Sequence, residues 1–189
     1  VWFDCGEAVQ TAINAYELAM EDERLSMIFF SQYSVLGAAV LDLIDEAKIP
    51  TVLCGSNPIL NVGKEYAWMV RPSDVDAAQV IANYIVNTCG AKKPAATIMA
   101  GMETGIFKSI SDDLAAFGIT MDASNTFTYA ADEQNYGPIA STTAAYGADA
   151  LILNCNQTDG ASAVAALAAA GVTDIPRIAN STLASQFVV

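Results

Sequence analysis

The sequence predicts an α/β fold built from parallel strands that helices cover on both faces. Short, continuous apolar runs alternate along the whole chain with longer segments whose apolar residues recur at helical spacing. Continuous apolar runs are typical of strands buried on both faces, as in parallel sheets. The alternation breaks once, in a loop rich in Gly, Asn and Pro at residues 54–65. We therefore predict two lobes, residues 1–70 and 71–189.

Apolar runs and helical stripes follow one another through the first lobe. The predicted strands are Val1–Asp4, Leu25–Phe30, Pro50–Leu53 and Tyr66–Val70. The predicted helices are marked by apolar residues from Ala8 to Met20 and from Leu36 to Ala47. Because Val1–Asp4 already has the composition of a buried strand, we expect the chain to be an internal excerpt of a longer fold.

The second lobe is predicted to open with a capped helix. Ser73 is a residue type that caps helix N-termini, and it precedes a helical stripe from Val75 to Ile85. The strand–helix alternation resumes after Pro94. The predicted strands are Ala95–Ala100, Ile119–Thr128, Ala150–Leu153 and Arg177–Ala179, and the helices between them are marked by apolar residues in Ile106–Phe117, Ile139–Tyr146 and Val164–Ala168.

Composition excludes several classes of function. The chain is 53% hydrophobic, has a net charge of −13 and contains eight Lys and Arg. Such a surface repels nucleic-acid phosphates and anionic lipids, and no apolar run is long enough to span a membrane. There is no histidine, no Gly-rich phosphate loop and no GxSxG nucleophile motif. We therefore expect no catalytic residues, no metal site, no cofactor and no enzymatic activity.

The four cysteines carry no recognisable site. Cys5, Cys54, Cys89 and Cys155 show neither CxxC pairing nor metal-ligand spacing. Small buried thiols are the favoured interpretation; a disulfide or a reactive thiol are the alternatives. The cysteines therefore do not reveal the compartment.

Polar, mostly uncharged residues follow five of the predicted strands. These strand ends are Ser31–Ser34, Cys54–Asn57, Gly101–Thr104, Asn154–Thr158 and Asn180–Thr182. Ligands of parallel α/β sheets bind beyond the carboxyl ends of the strands, where hydroxyls and amides can donate to a carboxylate, a hydroxyl or a sugar. The same residue types also cap helices without any ligand. Five such ends favour a shared ligand cleft.

Three side chains at these ends have alternative roles. Ser34 can cap its helix and also offer its hydroxyl to an anion. The ring of Tyr33 can pack against a ligand or close the core. The Glu103 carboxylate can pair with a ligand cation or remain a solvated surface group.

Several segments resemble the solute-binding proteins of branched-chain amino acid ABC importers. The similarity rests on the order of these segments: DLIDEAKIP at Asp42–Pro50, GSNP at Gly55–Pro58, YAWMVRPSD at Tyr66–Asp74, DEQNY at Asp132–Tyr136, YGADALIL at Tyr146–Leu153 and GVTDIPRIAN at Gly171–Asn180. The resemblance implies a two-lobed type-I periplasmic-binding-protein fold. It also implies a chain about twice this length, with a first strand and helix before Val1.

The resemblance assigns ligand-binding roles residue by residue. Ser34 matches the serine that binds the ligand carboxylate, and Ser56, after Gly55, matches the turn hydroxyl that helps to hold an amino acid. In the second lobe the sequence departs from the family. The departures are Thr104 (or Met102) and Asn156 (or Gln157) at two positions that are often aromatic, and Ser181 (or Asn180) where an acid often pairs with the ligand ammonium.

These similarities imply an extracytoplasmic binding protein. It is expected to capture a small polar solute, such as an amino acid, in the interlobe cleft and to deliver it to an ABC transporter permease. The expected location is periplasmic or extracellular, with a cell-surface lipoprotein as one form. The alternative is the ligand-sensing domain of a receptor or regulator with the same fold.

Overall fold

The computed structural model describes residues 1–6, 8–130, 133–155 and 157–180. The chain divides into two compact units, Val1–Asp76 and Ala77–Val189, and each is described separately. Both units contain a parallel sheet with helices, which is the α/β class that the sequence predicts. The division into two lobes, residues 1–70 and 71–189, stays a prediction.

Unit 1 contains a three-stranded parallel sheet. Its strands are β1 (Ile28–Phe30), β2 (Thr51–Leu53) and β3 (Ala67–Met69), and they lie side by side in that order. Its helices are α1 (Val9–Met20), α2 (Ser34–Ala39) and α3 (Leu41–Ala47), and a 3-10 turn spans Pro58–Leu60. The strands are aligned so that Phe29, Val52 and Trp68 form one row across the sheet.

One face of this sheet forms the core of unit 1. Tyr16 of α1 is buried against it, with its ring edge-on to Phe30 at 5.6 Å. The Tyr16 hydroxyl lies 2.7 Å from Oγ1 of Thr51. Val40 and Ile44 are fully buried in the same cluster. Because one face of each helix packs in this cluster, the apolar residues of the helices recur at helical spacing in the sequence.

Unit 2 contains a four-stranded parallel sheet in the order β5-β4-β6-β7. The strands are β4 (Pro94–Met99), β5 (Thr126–Tyr129), β6 (Ala150–Asn154) and β7 (Arg177–Ala179). The helices are α4 (Asp74–Asn83), α5 (Ile106–Ala116), α6 (Gly137–Tyr146) and α7 (Gln157–Ala169). Helix α4 begins in unit 1 and continues as a π turn at Tyr84–Thr88. Separate apolar clusters contain alternate residues of β4 and β6, so helices pack on both faces.

The predicted helix cap at Ser73 is confirmed. The Ser73 hydroxyl oxygen accepts the Asp76 N–H at 3.2 Å and donates to the Asp76 carboxylate at 2.7 Å. The predicted strand Arg177–Ala179 also matches β7 in its bounds.

Three predicted elements are wrong. Val1–Asp4 is not a strand: Trp2 is 98% exposed, and Asp4 instead accepts the Gly6 N–H in a local turn. The strand predicted from Ile119 begins only at Thr126, because the carboxylate of Asp122 accepts the Ser124 N–H and turns the chain. The single helix predicted through Leu36 and Ala47 is two helices. They meet at Val40, whose φ of −108° and ψ of 5° are not helical.

Within the described residues, no helix has the length and apolar character needed to cross a membrane.

Candidate functional site

The carboxyl ends of β1 and β2 meet at Ser34, the first residue of α2. The Ser34 hydroxyl oxygen accepts the backbone N–H groups of Ser56 and Asn57, each at 3.2 Å. The Cys54 N–H also bonds the Ser31 carbonyl at 3.3 Å. Two of the polar strand ends that the sequence indicates are therefore joined directly. The hydroxyl proton of Ser34 has no acceptor among the described residues, so it is available to donate.

The predicted capping role of Ser34 is wrong. Ser34 lies inside the first turn of α2, and Tyr33 occupies the N-cap position without a side-chain cap bond. The Tyr33 carbonyl instead accepts the N–H groups of Leu36 and Gly37, each at 3.1 Å. The Ser34 hydroxyl instead bonds the loop after β2.

Gly55 allows this close approach. A Cβ atom on Gly55 would lie 2.6 Å from Cδ1 of Leu60, 2.7 Å from Oγ of Ser34 and 3.0 Å from Cα of Ser34. All three distances are at or below the limit of real Cβ contacts, and Leu60 is fully buried. Any larger residue would push the loop away from α2 and break the two amide bonds to Ser34.

Ser56 and Tyr33 are accessible beside this junction. Ser56 is half-buried; its carbonyl accepts the Asp74 N–H at 2.8 Å, which anchors the loop to the start of α4. No described residue is bonded to the Ser56 hydroxyl. The Tyr33 ring is about half exposed and its N–H donates to the Ser31 hydroxyl at 3.1 Å. The structure therefore brings Tyr33, Ser34, Gly55 and Ser56 together at the edge of the sheet where β1 and β2 end.

In unit 2, Glu103 and Thr104 lie on the exposed loop that follows β4. One carboxylate oxygen of Glu103 accepts the Gly101 N–H at 2.8 Å, so this side chain also shapes its own loop. Asn156 and Ser181 lie outside the described residues, and Gln157 is described only as the first backbone position of α7.

An asparagine pair joins three strand ends of unit 2. Nδ2 of the buried Asn154 donates to the Met102 carbonyl at 2.6 Å, and its Oδ1 accepts from Asn180 at 2.8 Å. Asn180 also donates to the Cys155 carbonyl at 3.2 Å. The sequence predicts both asparagines at strand ends but not the bond between them. Their positions after parallel strands were the available signal.

Two tyrosines and a cysteine pack together in the core of unit 2. The rings of Tyr129 and Tyr136 are edge-on at 5.1 Å, and Cys155 belongs to the same apolar cluster. Burial raises the pKa of Tyr136 to about 12, with the negative charge of Asp159 adding to the effect. Burial also raises the pKa of Tyr129 and of the Cys155 thiol. These groups are therefore uncharged at neutral pH and act as core.

None of the predicted ligand residues that the structure describes lines either of two surface grooves. A groove of about 480 Å³ follows β5 and α6 and is lined by residues including Tyr129, Glu133 and Ile139. A groove of about 570 Å³ in unit 1 is lined by residues including Phe3, Leu18 and Arg24. In the described part of the chain, no three His, Cys, Asp or Glu side chains are grouped as metal ligands.

The chain is similar in fold to solved solute-binding proteins. LivK, a leucine-binding protein from Thermotoga maritima, superposes with a TM-score of 0.79 at 16% identity over 97% of this chain and 52% of that one. LivJ from Streptococcus pneumoniae, solved with isoleucine, gives 0.78 at 16% identity over 95% and 51%. A solute-binding protein from R. palustris, solved with 4-hydroxybenzoate, gives 0.76 at 16% identity over 93% and 48%.

The chain therefore spans about half the length of these structural relatives. At these identities the likeness shows the fold, which is the type-I periplasmic-binding-protein fold with parallel sheets flanked by helices. No curated protein sequence matches the chain. The sequence profile of the periplasmic binding protein family matches residues 1–187, and the chain belongs to that family.

Proposed function

We propose that the protein is an extracytoplasmic solute-binding protein that captures a small polar ligand and delivers it to an ABC transporter permease. Family membership and the ABC substrate-binding relatives support this role. The expected location is the periplasm or the cell surface. The proposed activity is binding without chemical conversion of the ligand.

The observation that carries the proposal is the junction at Ser34. Its hydroxyl is fixed by two accepted amide bonds and keeps one proton to donate. The Ser56 hydroxyl lies on the loop that supplies both of those amides. Two neighbouring hydroxyl donors suit a ligand carboxylate, which accepts several hydrogen bonds. Tyr33 provides a half-exposed aromatic surface beside them. We propose these side chains and Gly55 as the ligand-binding residues of unit 1.

The proposed ligand surface of unit 2 consists of Glu103, Thr104, Asn156, Gln157 and Ser181. These residues differ in character from the hydroxyl pair in unit 1, and Glu103 is the acid among them. The named relatives were solved with ligands as different as isoleucine and 4-hydroxybenzoate, both of which carry a carboxylate. We therefore propose that unit 1 holds the carboxylate, whereas unit 2 determines which solute is preferred.

Calorimetry on the complete protein tests the proposal. Native mass spectrometry first identifies a co-purified solute, and isoleucine and 4-hydroxybenzoate serve as further probes. A hydrogen bond to a charged group contributes about 1.5–3 kcal/mol, so Ser34→Ala and Ser56→Ala should each weaken binding roughly ten- to a hundredfold. Ser109→Ala, at a half-buried position of α5 in unit 2, is the matched control. Unchanged affinity in both Ser34→Ala and Ser56→Ala would mean that the carboxylate binds elsewhere.

A further inference from the structure

The last residue of β6 is a buried amide in an otherwise apolar strand. All five residues of Ala150–Asn154 are buried, and Asn154 is 4% exposed. Side chains alternate along a strand, so Asn154 is placed on the same face as Ile152, whose apolar cluster Met102 also contacts. A buried amide loses its bonds to water and must be paired within the protein. An apolar residue would fill the same space, so the role of the amide depends on what it bonds.

The hydrogen bonds of Asn154 can run in one direction only. The Met102 carbonyl can only accept, so Nδ2 of Asn154 faces it, at 2.6 Å. Oδ1 of Asn154 therefore faces Asn180 and accepts from Nδ2 of that residue at 2.8 Å. Asn180 is itself oriented by a second donation, to the Cys155 carbonyl at 3.2 Å. Main-chain carbonyls thus set the orientation of both amides.

The bond to Met102 holds the loop between β4 and α5. This loop contains Gly101 and Gly105, whose φ values are 88° and 65°, and it is exposed except at Met102, which is half-buried. Glycines leave a loop free to adopt several conformations. The Met102 N–H bonds the Met99 carbonyl at 3.0 Å and its carbonyl bonds Asn154, so both main-chain groups of Met102 are held. Asn154 therefore limits where the residues that follow Met102 can lie.

We infer that Asn154 is a positioning residue for solute preference: it acts through the loop, holding Met102 so that Glu103 and Thr104 are presented to the solute. The inference rests on the proposed function, in which these two side chains belong to the ligand surface of unit 2. Loss of the amide should change which solute is preferred. Loss of the Ser34 hydroxyl should instead weaken all carboxylates alike, because it belongs to the surface that they share.

The variant Asn154→Asp exchanges one group with almost no change in volume. At neutral pH it places a carboxylate oxygen where Nδ2 now faces the Met102 carbonyl, and two oxygens without a proton between them repel each other. Asn125→Asp is the matched control. Asn125 is 6% exposed, and its Nδ2 donates to the Thr120 carbonyl at 2.9 Å. It precedes β5 and so lies at the amino ends of the strands, away from the loop after β4.

Hydrogen exchange on the complete protein without ligand tests the geometry. The N–H groups of Gly101 and Met102 are both hydrogen-bonded and report on opening of the loop. Asn154→Asp should make them exchange about tenfold faster, because the loop opens more often, whereas Asn125→Asp should leave them unchanged. Asn180→Ala removes the donor that orients Asn154; it should act in the same direction and replaces Asn154→Asp if that variant does not fold. Unchanged exchange overturns the inference.

Calorimetry on the complete protein with leucine, isoleucine, 4-hydroxybenzoate and 3,4-dihydroxybenzoate tests the effect on preference. In Asn154→Asp the ratio of affinities between bound solutes should change about tenfold, whereas Ser34→Ala should weaken them all and keep the ratio. Asn125→Asp should keep every affinity at a temperature where it is fully folded. Faster loop exchange with an unchanged ratio overturns this inference alone. A wild type that binds none of these carboxylates contradicts the proposed function, and the inference is then wrong as well.

Discussion

The Ser34 hydroxyl holds two backbone N–H groups at the tip of β2, so its removal affects the fold as well as any ligand. We predict that Ser34→Ala lowers the free energy of unfolding by about 1–3 kcal/mol, because two partly buried amides lose their acceptor. Ser56→Ala removes a hydroxyl but keeps its amide in place, so its effect should stay within about 0.5 kcal/mol. Urea unfolding of both variants measures the difference.

Equal stability of the two variants would show that water replaces the Ser34 hydroxyl as acceptor at the tip of β2. The stability result also decides how the binding experiment is run. Affinities of Ser34→Ala must be compared with the wild type at a temperature where both proteins are fully folded, since a partly unfolded population reduces the apparent affinity.

The buried pair Tyr16 and Thr51 has a defined hydrogen-bond direction. Oγ1 of Thr51 donates to the Ile49 carbonyl at 3.0 Å, so its single proton is used and the Tyr16 hydroxyl must be the donor in the 2.7 Å contact between them. Tyr16→Phe therefore removes a donor and should cost about 1 kcal/mol. Thr51→Val leaves the Tyr16 hydroxyl without an acceptor and should cost more, about 1–3 kcal/mol.

A double-mutant cycle on this pair checks the assignment. The double variant Tyr16→Phe with Thr51→Val should be less destabilised than the sum of the single variants, because no orphaned hydroxyl remains. Simple additivity of the two free-energy changes would mean that the two hydroxyls are not coupled.

Among the elements, α4 offers the clearest test of a sequence-derived feature. Ser73→Ala removes the acceptor for the Asp76 N–H and should destabilise the protein by about 1 kcal/mol. Ser73→Asp keeps an acceptor at the cap and should retain most of the stability, although it also places a second carboxylate near Asp76. Thermal unfolding of the two variants is the measurement. A fully stable Ser73→Ala protein would mean that α4 is held by packing alone.

The sequence predicted most helices and strands because their apolar spacing is set by burial. It misplaced elements where local side-chain bonds or exposure override that spacing. Asp122 and Asn125 turn the chain through bonds to nearby N–H groups, so the apolar residues from Ile119 do not start a strand. Val1–Asp4 has strand-like composition, yet Trp2 is exposed and the segment pairs with no described strand. The break at Val40 keeps the buried stripe in phase, which makes two helices resemble one.

Part of the candidate site was predictable for a physical reason. The carboxyl ends of neighbouring parallel strands lie at one edge, so the approach of Ser34 to the loop at Ser56 follows from the order of β1 and β2. The sequence does not predict which groups the Ser34 hydroxyl bonds, because that depends on how closely Gly55 lets the loop after β2 approach. The bond between Asn154 and Asn180 likewise depends on the register of β6 and β7, which composition does not encode.

At the level of the complete chain, buried acids determine the response to high pH. Burial raises the pKa of Tyr16 and Tyr129 above 10.0, of Tyr136 to about 12, and of the Cys155 thiol above 9.0. Each of these hydroxyl or thiol groups therefore loses its proton at a lower pH in the unfolded chain than in the folded chain. The stabilising contribution is therefore complete below about pH 9 and is lost progressively as the pH rises towards about 12.

We predict that urea midpoints are constant from about pH 7 to 9 and fall steeply above about pH 10. Tyr136→Phe removes one titrating group and should make the fall shallower, after correction for its effect at neutral pH. Tyr84→Phe, at a half-exposed position on the π turn, is the matched control. A flat profile through about pH 11 would mean that these groups titrate at similar pH in the folded and unfolded chains.

The different strand orders of the two sheets have a consequence for the time course of folding. In unit 1 neighbouring strands are consecutive, and Ile28 pairs with Thr51. In unit 2, β4 pairs on one side with β5, Ala96 with Thr126, but its other side pairs with β6, Pro94 with Ala150, which is more than twice as far along the chain as Ile28 is from Thr51. Because distant pairings are slow to form, unit 1 should complete its sheet first, as the chain leaves the ribosome, while β4 still lacks β6. Pulse-labelled amide exchange during refolding would then protect Val52 before Ile98.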